Sequence, residues 1–194
     1  MNAMNFLMAG VGGQGVIRFS QILGDVLFHL DYDVKKAEVH GMSQRGGAVN
    51  SHLKAAPRVY SPIIEKGTAD FLISMELLET YRNRDIVSEK GMVISSTYTL
   101  ETARMAAGLD EYPSDLTEKL KEIFQNRIIL VPTLEMAKEL GNLRLHNTIL
   151  LGKLAANMDI PKGKWLASIK NIFPEKVHEL NEKAFSAGYQ YQPE

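Results

Sequence analysis

Residues 8–19 read MAGVGGQGVIRF, between the apolar run NFLMAG and a segment in which Val16, Phe19, Leu23, Val26 or Leu27 and Leu30 recur at helical spacing. A strand, a glycine turn and a helix follow one another within about 25 residues, which is how a parallel α/β sheet begins. Gly10, Gly12 and Gly15 match G-x-G-x-x-G in that context. A residue without Cβ makes the turn, another brings backbone amides close to a diphosphate, and Gly15 is expected to let the helix close on the strand. The helix N-terminus adds partial positive charge and free N–H groups. The same glycines also suit a turn with no ligand at all.

The rest of the chain continues the alternation. DVKKAEVH reads as a second strand, AVNSHLKAA alternates as a half-buried third, and ADFLISM is a compact fourth followed by helical ELLETYRNR. GMVISST and RIILVPT give two further strands with amphipathic DLTEKLKEIF between them. About six strands separated mostly by helices predict a Rossmann-like three-layer α/β fold with a mostly parallel sheet, in which the third strand can pair antiparallel. From residue 133 the pattern is helical: TLEMAKEL ends at Gly141, LRLHNTILLGKLAANM has an apolar face, and Pro161 and Pro174 punctuate two more helices. Residues beyond about 188 are expected to be loose or to lie on a partner. Without repeat or linker, residues 1–194 are expected to form a single domain.

A net charge of −1, without a basic stripe, argues against nucleic acid as a partner. No apolar run reaches the roughly 18–20 residues that span a bilayer, and the first strand is a poor secretory signal, so no membrane association and a cytoplasmic location are expected. The chain has no cysteine. Iron–sulfur clusters are held mainly by thiolates, so any cluster belongs to another subunit.

A nicotinamide or flavin site needs an acidic residue ending the second strand to bind the ribose hydroxyls, and Glu38 is the candidate. Glu38 runs into His40, Gly41, Met42, Ser43, Gln44, Arg45, Gly46 and Gly47, a loop richer in hydrogen-bonding groups than a ribose needs. At the C-terminal edge of the sheet this loop would overhang the crevice of the glycine turn. Arg45 offers a planar fork for carboxylate or phosphate, and His40, Ser43 and Gln44 offer neutral donors and acceptors. Docking of a partner subunit is the competing role for the loop.

Together GVGGQGV, EVHGMSQRGGAVNSH, ADFLISME, HNTILLGKL and NEKAFSAGY, from about residue 5 to 189, resemble the gamma domain of 2-oxoacid:ferredoxin oxidoreductases. HGMSQRGG is most similar to the beta-subunit branch acting on indolepyruvate. The resemblance implies a subunit of an enzyme that decarboxylates an aryl pyruvate, joins the acyl group to coenzyme A and passes electrons to ferredoxin. Thiamine diphosphate, magnesium and the iron–sulfur clusters would sit on a larger partner subunit, through which ferredoxin is reached; the missing Gly-Asp-Gly metal–diphosphate signature agrees. The cofactor-binding expectation is Gly10, Gly12, Gly13, Gln14 and Gly15 on the diphosphate of coenzyme A. The substrate or partner cleft is expected from His40, Gly41, Ser43, Gln44, Arg45, Gly46 and Gly47, with Asn147 reaching it from a helix. No residue has the setting of a nucleophile.

A self-sufficient nicotinamide-dependent dehydrogenase and a non-catalytic nucleotide-binding assembly module stay open on the residues alone. His29, His146 and His178 are expected in the core or at the surface, and His40 and His52 also lack partners at metal-binding spacing. Leu77, Leu78, Tyr81, Phe185 and Tyr189 read as packing residues.

Overall fold

The computed structural model describes residues 3–41, 47–101, 105 and 107–193. Among them one six-stranded sheet runs in the order β2-β3-β1-β4-β5-β6, with β1 Met4–Val11, β2 Asp33–His40, β3 Ala48–Ala56, β4 Ala69–Ser74, β5 Val87–Ser96 and β6 Ile128–Val131. The neighbours β1, β4, β5 and β6 pair in parallel, whereas β3 runs antiparallel to both β2 and β1. Only β3 opposes the other strands, so five C-terminal ends share one edge.

The middle of β1 is buried on both faces, as a strand between two layers must be. Phe6 and Met8 join one apolar cluster while Leu7 and Ala9 join the other, which is the period-two pleat. The helices are α1 Val16–Phe28, α2 Leu77–Arg82, α3 Leu116–Phe124, α4 Thr133–Glu139, α5 His146–Ala155, α6 Lys162–Ile172 and α7 His178–Gln190. Val16, Phe19, Ile22, Leu23, Val26 and Leu27 of α1 meet Ile149 and Leu150 of α5, Trp165 of α6 and Phe185 of α7 on the Phe6 face. Leu77 and Leu78 of α2 pack with Leu116, Leu120 and Phe124 of α3 on the Leu7 face. The three-layer α/β architecture with a mostly parallel sheet is therefore the one expected, including the antiparallel third strand.

Two boundaries differ from expectation. β5 starts at Val87, ahead of GMVISST, because a register shift opposite Ala69 and Phe71 lets the pairing restart. The residues expected to be loose after about 188 continue α7 to Gln190, and the Lys153 ammonium donates to the Tyr191 carbonyl at 2.7 Å.

Every residue of α5 is buried, the polar His146, Asn147, Thr148 and Lys153 included. Its crossing with α7 is closed by two small residues. A Cβ at Gly152 would overlap the Phe185 carbonyl, and one at Gly188 would overlap the Ile149 carbonyl. Trp165, Phe185 and Tyr189 stack alongside, with successive ring centroids 6.4 and 6.1 Å apart.

Candidate functional site

The glycine turn follows β1 at the shared C-terminal edge, and its residues divide between a front and a back. Gly12, Gly13 and Gly15 line a cleft of about 450 Å³ together with Val16, Ile17, Arg18 and Gln21 of α1, His40 of β2 and Val49 of β3. Gly13 and Gly15 have φ of 98° and 85°, a left-handed backbone that strains other residues. No neighbour lies within 4 Å of where a Cβ at Gly13 would be, so this position faces open space. The first amides of α1 have no partner within the helix.

Gly10 and Gln14, expected on the diphosphate, lie behind the turn. Gln14 is buried, and its Oε1 accepts from the Val11 amide at 2.7 Å. A side chain at Gly10 would meet Val16, Gln14 and Met75 at 2.8–3.0 Å. The close approach of helix to strand thus falls at Gly10. Gly15, expected to serve it, instead makes room for the Asn147 side chain.

The second loop starts where the sequence placed it. His40 enters the cleft wall, Gly41 N–H donates to the Ala48 carbonyl at 2.9 Å, and the Gly47 carbonyl accepts from Gly12 N–H at 3.0 Å. The β2–β3 hairpin is thereby tied to the glycine turn. Ser43, Gln44, Arg45 and Gly46 lie outside the described residues.

Glu38 is badly placed for a ribose. β3 lies between β2 and β1, with Glu38 opposite Ser51 and Ser51 opposite Met8. Two strand spacings, about 9.5 Å, separate it from β1, where a dinucleotide fold has its acidic strand adjacent. Its carboxylate pairs with Lys36 at 2.8 Å and lies 3.6 Å from His40. The Lys36 hydrogen bond holds its pKa below the ordinary value. The described cleft lining holds a cation, Arg18, and no carboxylate, a balance suited to an anion.

Asn147 is buried and approaches the turn from beneath, its Nδ2 3.5 Å from the Gly15 carbonyl, rather than lining the cleft. His146 beside it is buried, its ring near the Gln14 backbone carbonyl and edge-on to Tyr98 at 6.4 Å. Burial pushes its pKa below the ordinary value, against the opposing pull of that carbonyl.

Sequence reasoning missed Arg18 and Gln21, although positions 15, 18 and 21 recur at a spacing of three on one side of α1. It also missed Glu76, buried at the end of β4. Glu76 caps α2 by accepting from Glu79 N–H at 2.8 Å, and it accepts from the Tyr112 hydroxyl at 2.7 Å and Leu100 N–H at 3.1 Å. Burial and the Glu76 carboxylate push the Tyr112 phenol far up. These bonds hold the connection after β5 against the sheet edge. A carboxylate directly after a strand and before an apolar helix was the available signal.

An α/β fold thus carries a glycine-turn cleft whose wall includes the root of the β2–β3 hairpin. The chain belongs to the Pyruvate ferredoxin/flavodoxin oxidoreductase family, which it matches over residues 5–191. It is 29% identical over 97% of its length to indolepyruvate oxidoreductase subunit IorB of Thermococcus kodakarensis, covering 95% of that protein. It is 32% identical over 96% of its length to the IorB subunit of Archaeoglobus fulgidus, covering 94% of it. The fold matches a keto/oxoacid ferredoxin oxidoreductase gamma subunit from Geobacter sulfurreducens with a TM-score of 0.74 at 18% identity, over 98% of this chain and 96% of that one. It also matches 31% of a chain of 2-oxoglutarate:ferredoxin oxidoreductase from Magnetococcus marinus, a structure with coenzyme A bound, with a TM-score of 0.73 at 18% identity over 97% of this chain. The chain is thus an IorB-like subunit of a 2-oxoacid:ferredoxin oxidoreductase.

Proposed function

We propose that this subunit serves an enzyme that oxidises indolepyruvate or a related aryl pyruvate to an acyl-CoA with ferredoxin as acceptor, and that its cleft receives coenzyme A. The observation that carries this reading is the convergence of Gly12, Gly13, Gly15, Arg18 and His40 on one cleft at the C-terminal edge, whose described lining holds no carboxylate. Backbone N–H groups at a helix start and a guanidinium match the diphosphate of that ligand. When bound, coenzyme A supplies the thiol that takes up the acyl group.

This chain's own work is to bind and orient. The turn holds the diphosphate, while His40, Ser43, Gln44 and Arg45 order the substrate side of the cleft against a larger partner subunit. The thiamine diphosphate, magnesium and clusters belong to that partner, which also meets ferredoxin. Two facts support the division: the chain has no thiol to ligate a cluster, and its IorB relatives are themselves named as subunits.

The test is Gly13→Trp in the complex co-purified with the larger subunit. The indole fills open cleft, so the affinity for coenzyme A measured by calorimetry is expected to fall at least about tenfold while the complex stays assembled. Undiminished affinity overturns the cleft assignment. In the loop, Arg45→Lys keeps the charge and loses the fork, and is expected to raise the KM for the oxoacid about tenfold. Wild-type kinetics would make the loop a docking element alone.

A further inference from the structure

The amides of the turn are not equally available, and the pattern points beneath the cleft. Val11 N–H is taken by the Gln14 side chain at 2.7 Å, Gly12 N–H by the Gly47 carbonyl at 3.0 Å and Gln14 N–H by the Val11 carbonyl at 3.1 Å. Among the described residues the Gly13, Gly15 and Val16 amides have no partner.

What orients one of the three lies on α5. In a trans peptide the carbonyl of one residue and the N–H of the next point opposite ways. The Gly15 carbonyl is turned inward, accepting from Phe19 N–H at 2.9 Å and lying 3.5 Å from Asn147 Nδ2, so Val16 N–H is turned outward.

Asn147 is itself backed by polar groups that the apolar surroundings of α5 do not otherwise require. The Thr148 hydroxyl donates to Asn181 Oδ1 at 2.8 Å and lies 3.4 Å from Asn147 Oδ1. Asn181 Nδ2 donates to the Val177 carbonyl at 2.9 Å. A buried polar chain therefore runs from the glycine turn through α5 to the start of α7. Buried amides and hydroxyls cost stability unless they are paired, so such a chain fixes one arrangement.

We propose that Asn147 is a positioning residue: it fills the space beneath Gly15 and holds that carbonyl inward, so that the Val16 amide at the start of α1 presents itself to the anionic end of the ligand. Asn147 does not touch the ligand. This inference rests on the assignment of the cleft to a diphosphate, and coenzyme A is the probe.

The experiment compares Asn147→Ala, Asn147→Asp and Gly13→Trp in the assembled enzyme. Both Asn147 variants are expected to raise the KM for coenzyme A about tenfold, the worth of one oriented amide on a charged group, with kcat and the KM for the oxoacid within about twofold. Without ligand, hydrogen exchange in residues 12–19 is expected to quicken while the α3 segment stays unchanged. Asp keeps the volume and loses the donor, so it carries the test if the alanine variant does not assemble. An unchanged KM for coenzyme A in the Asn147 variants, with a raised one in Gly13→Trp, overturns the positioning role alone. An unchanged KM in all three overturns the cleft assignment, and the positioning role with it.

Discussion

His146 turns a packing position into a pH response. Its folded-state pKa lies below the ordinary 6.5 because of burial, while in the unfolded chain it takes a proton near 6.5. Its contribution to stability is thus fully present above pH 6.5 and is lost as the pH falls through the folded value. His52, whose pKa is lowered by burial too, acts in the same direction. Glu79 acts in the opposite sense: burial raises its pKa above 4.5 despite Arg82 at 2.6 Å, so its contribution falls as the pH rises through the raised value. In urea unfolding at pH 8, 6 and 5, His146→Asn is expected to lose less stability on acidification than the wild type. Parallel pH curves for the two proteins would remove His146 from the account. At this scale the sequence showed which residue types meet, Gly12, Gly13 and His40 among them. It did not show that Gln14 folds back onto Val11 or that Asn147 lies under Gly15. The first is a side-chain choice within four residues, and the second depends on a contact between residues 132 positions apart.

Between elements, the α5–α7 crossing is the tightest constraint. Gly188→Ala places a methyl group into the Ile149 carbonyl, and with little free volume at the crossing it is expected to cost about 3 kcal/mol, read as a lower midpoint in urea. A loss under about 1 kcal/mol would mean that the helices slide apart easily. The helix and strand periods of HNTILLGKL, NEKAFSAGY and AVNSHLKAA were legible because burial on a pleat or helix face leaves a periodic trace. Strand order leaves none. An alternating strand looks the same whether its neighbour is β1 or β2, so the insertion of β3 between them could not be read, and with it the distance of Glu38 from the cleft. Glu38→Gln is expected to leave the affinity for coenzyme A within about twofold, and no nicotinamide nucleotide should bind to the chain. Calorimetry reads both.

In the whole molecule, five strand ends, the glycine turn and the root of the hairpin share one edge, where ligands of such sheets gather. Among the described residues no helix is long and apolar enough to cross a membrane. The purified chain is expected to reduce no ferredoxin with an oxoacid, and activity is expected on adding the cluster-bearing subunit; turnover by the chain alone would contradict the assigned division of labour.

The bond from Gly12 N–H to the Gly47 carbonyl couples what the sequence presents as two separate loops. A partner that shifts the foot of the hairpin must either snap that link or drag the glycine turn along with it. If the turn holds the ligand as proposed, subunit association and ligand capture become a single mechanical event.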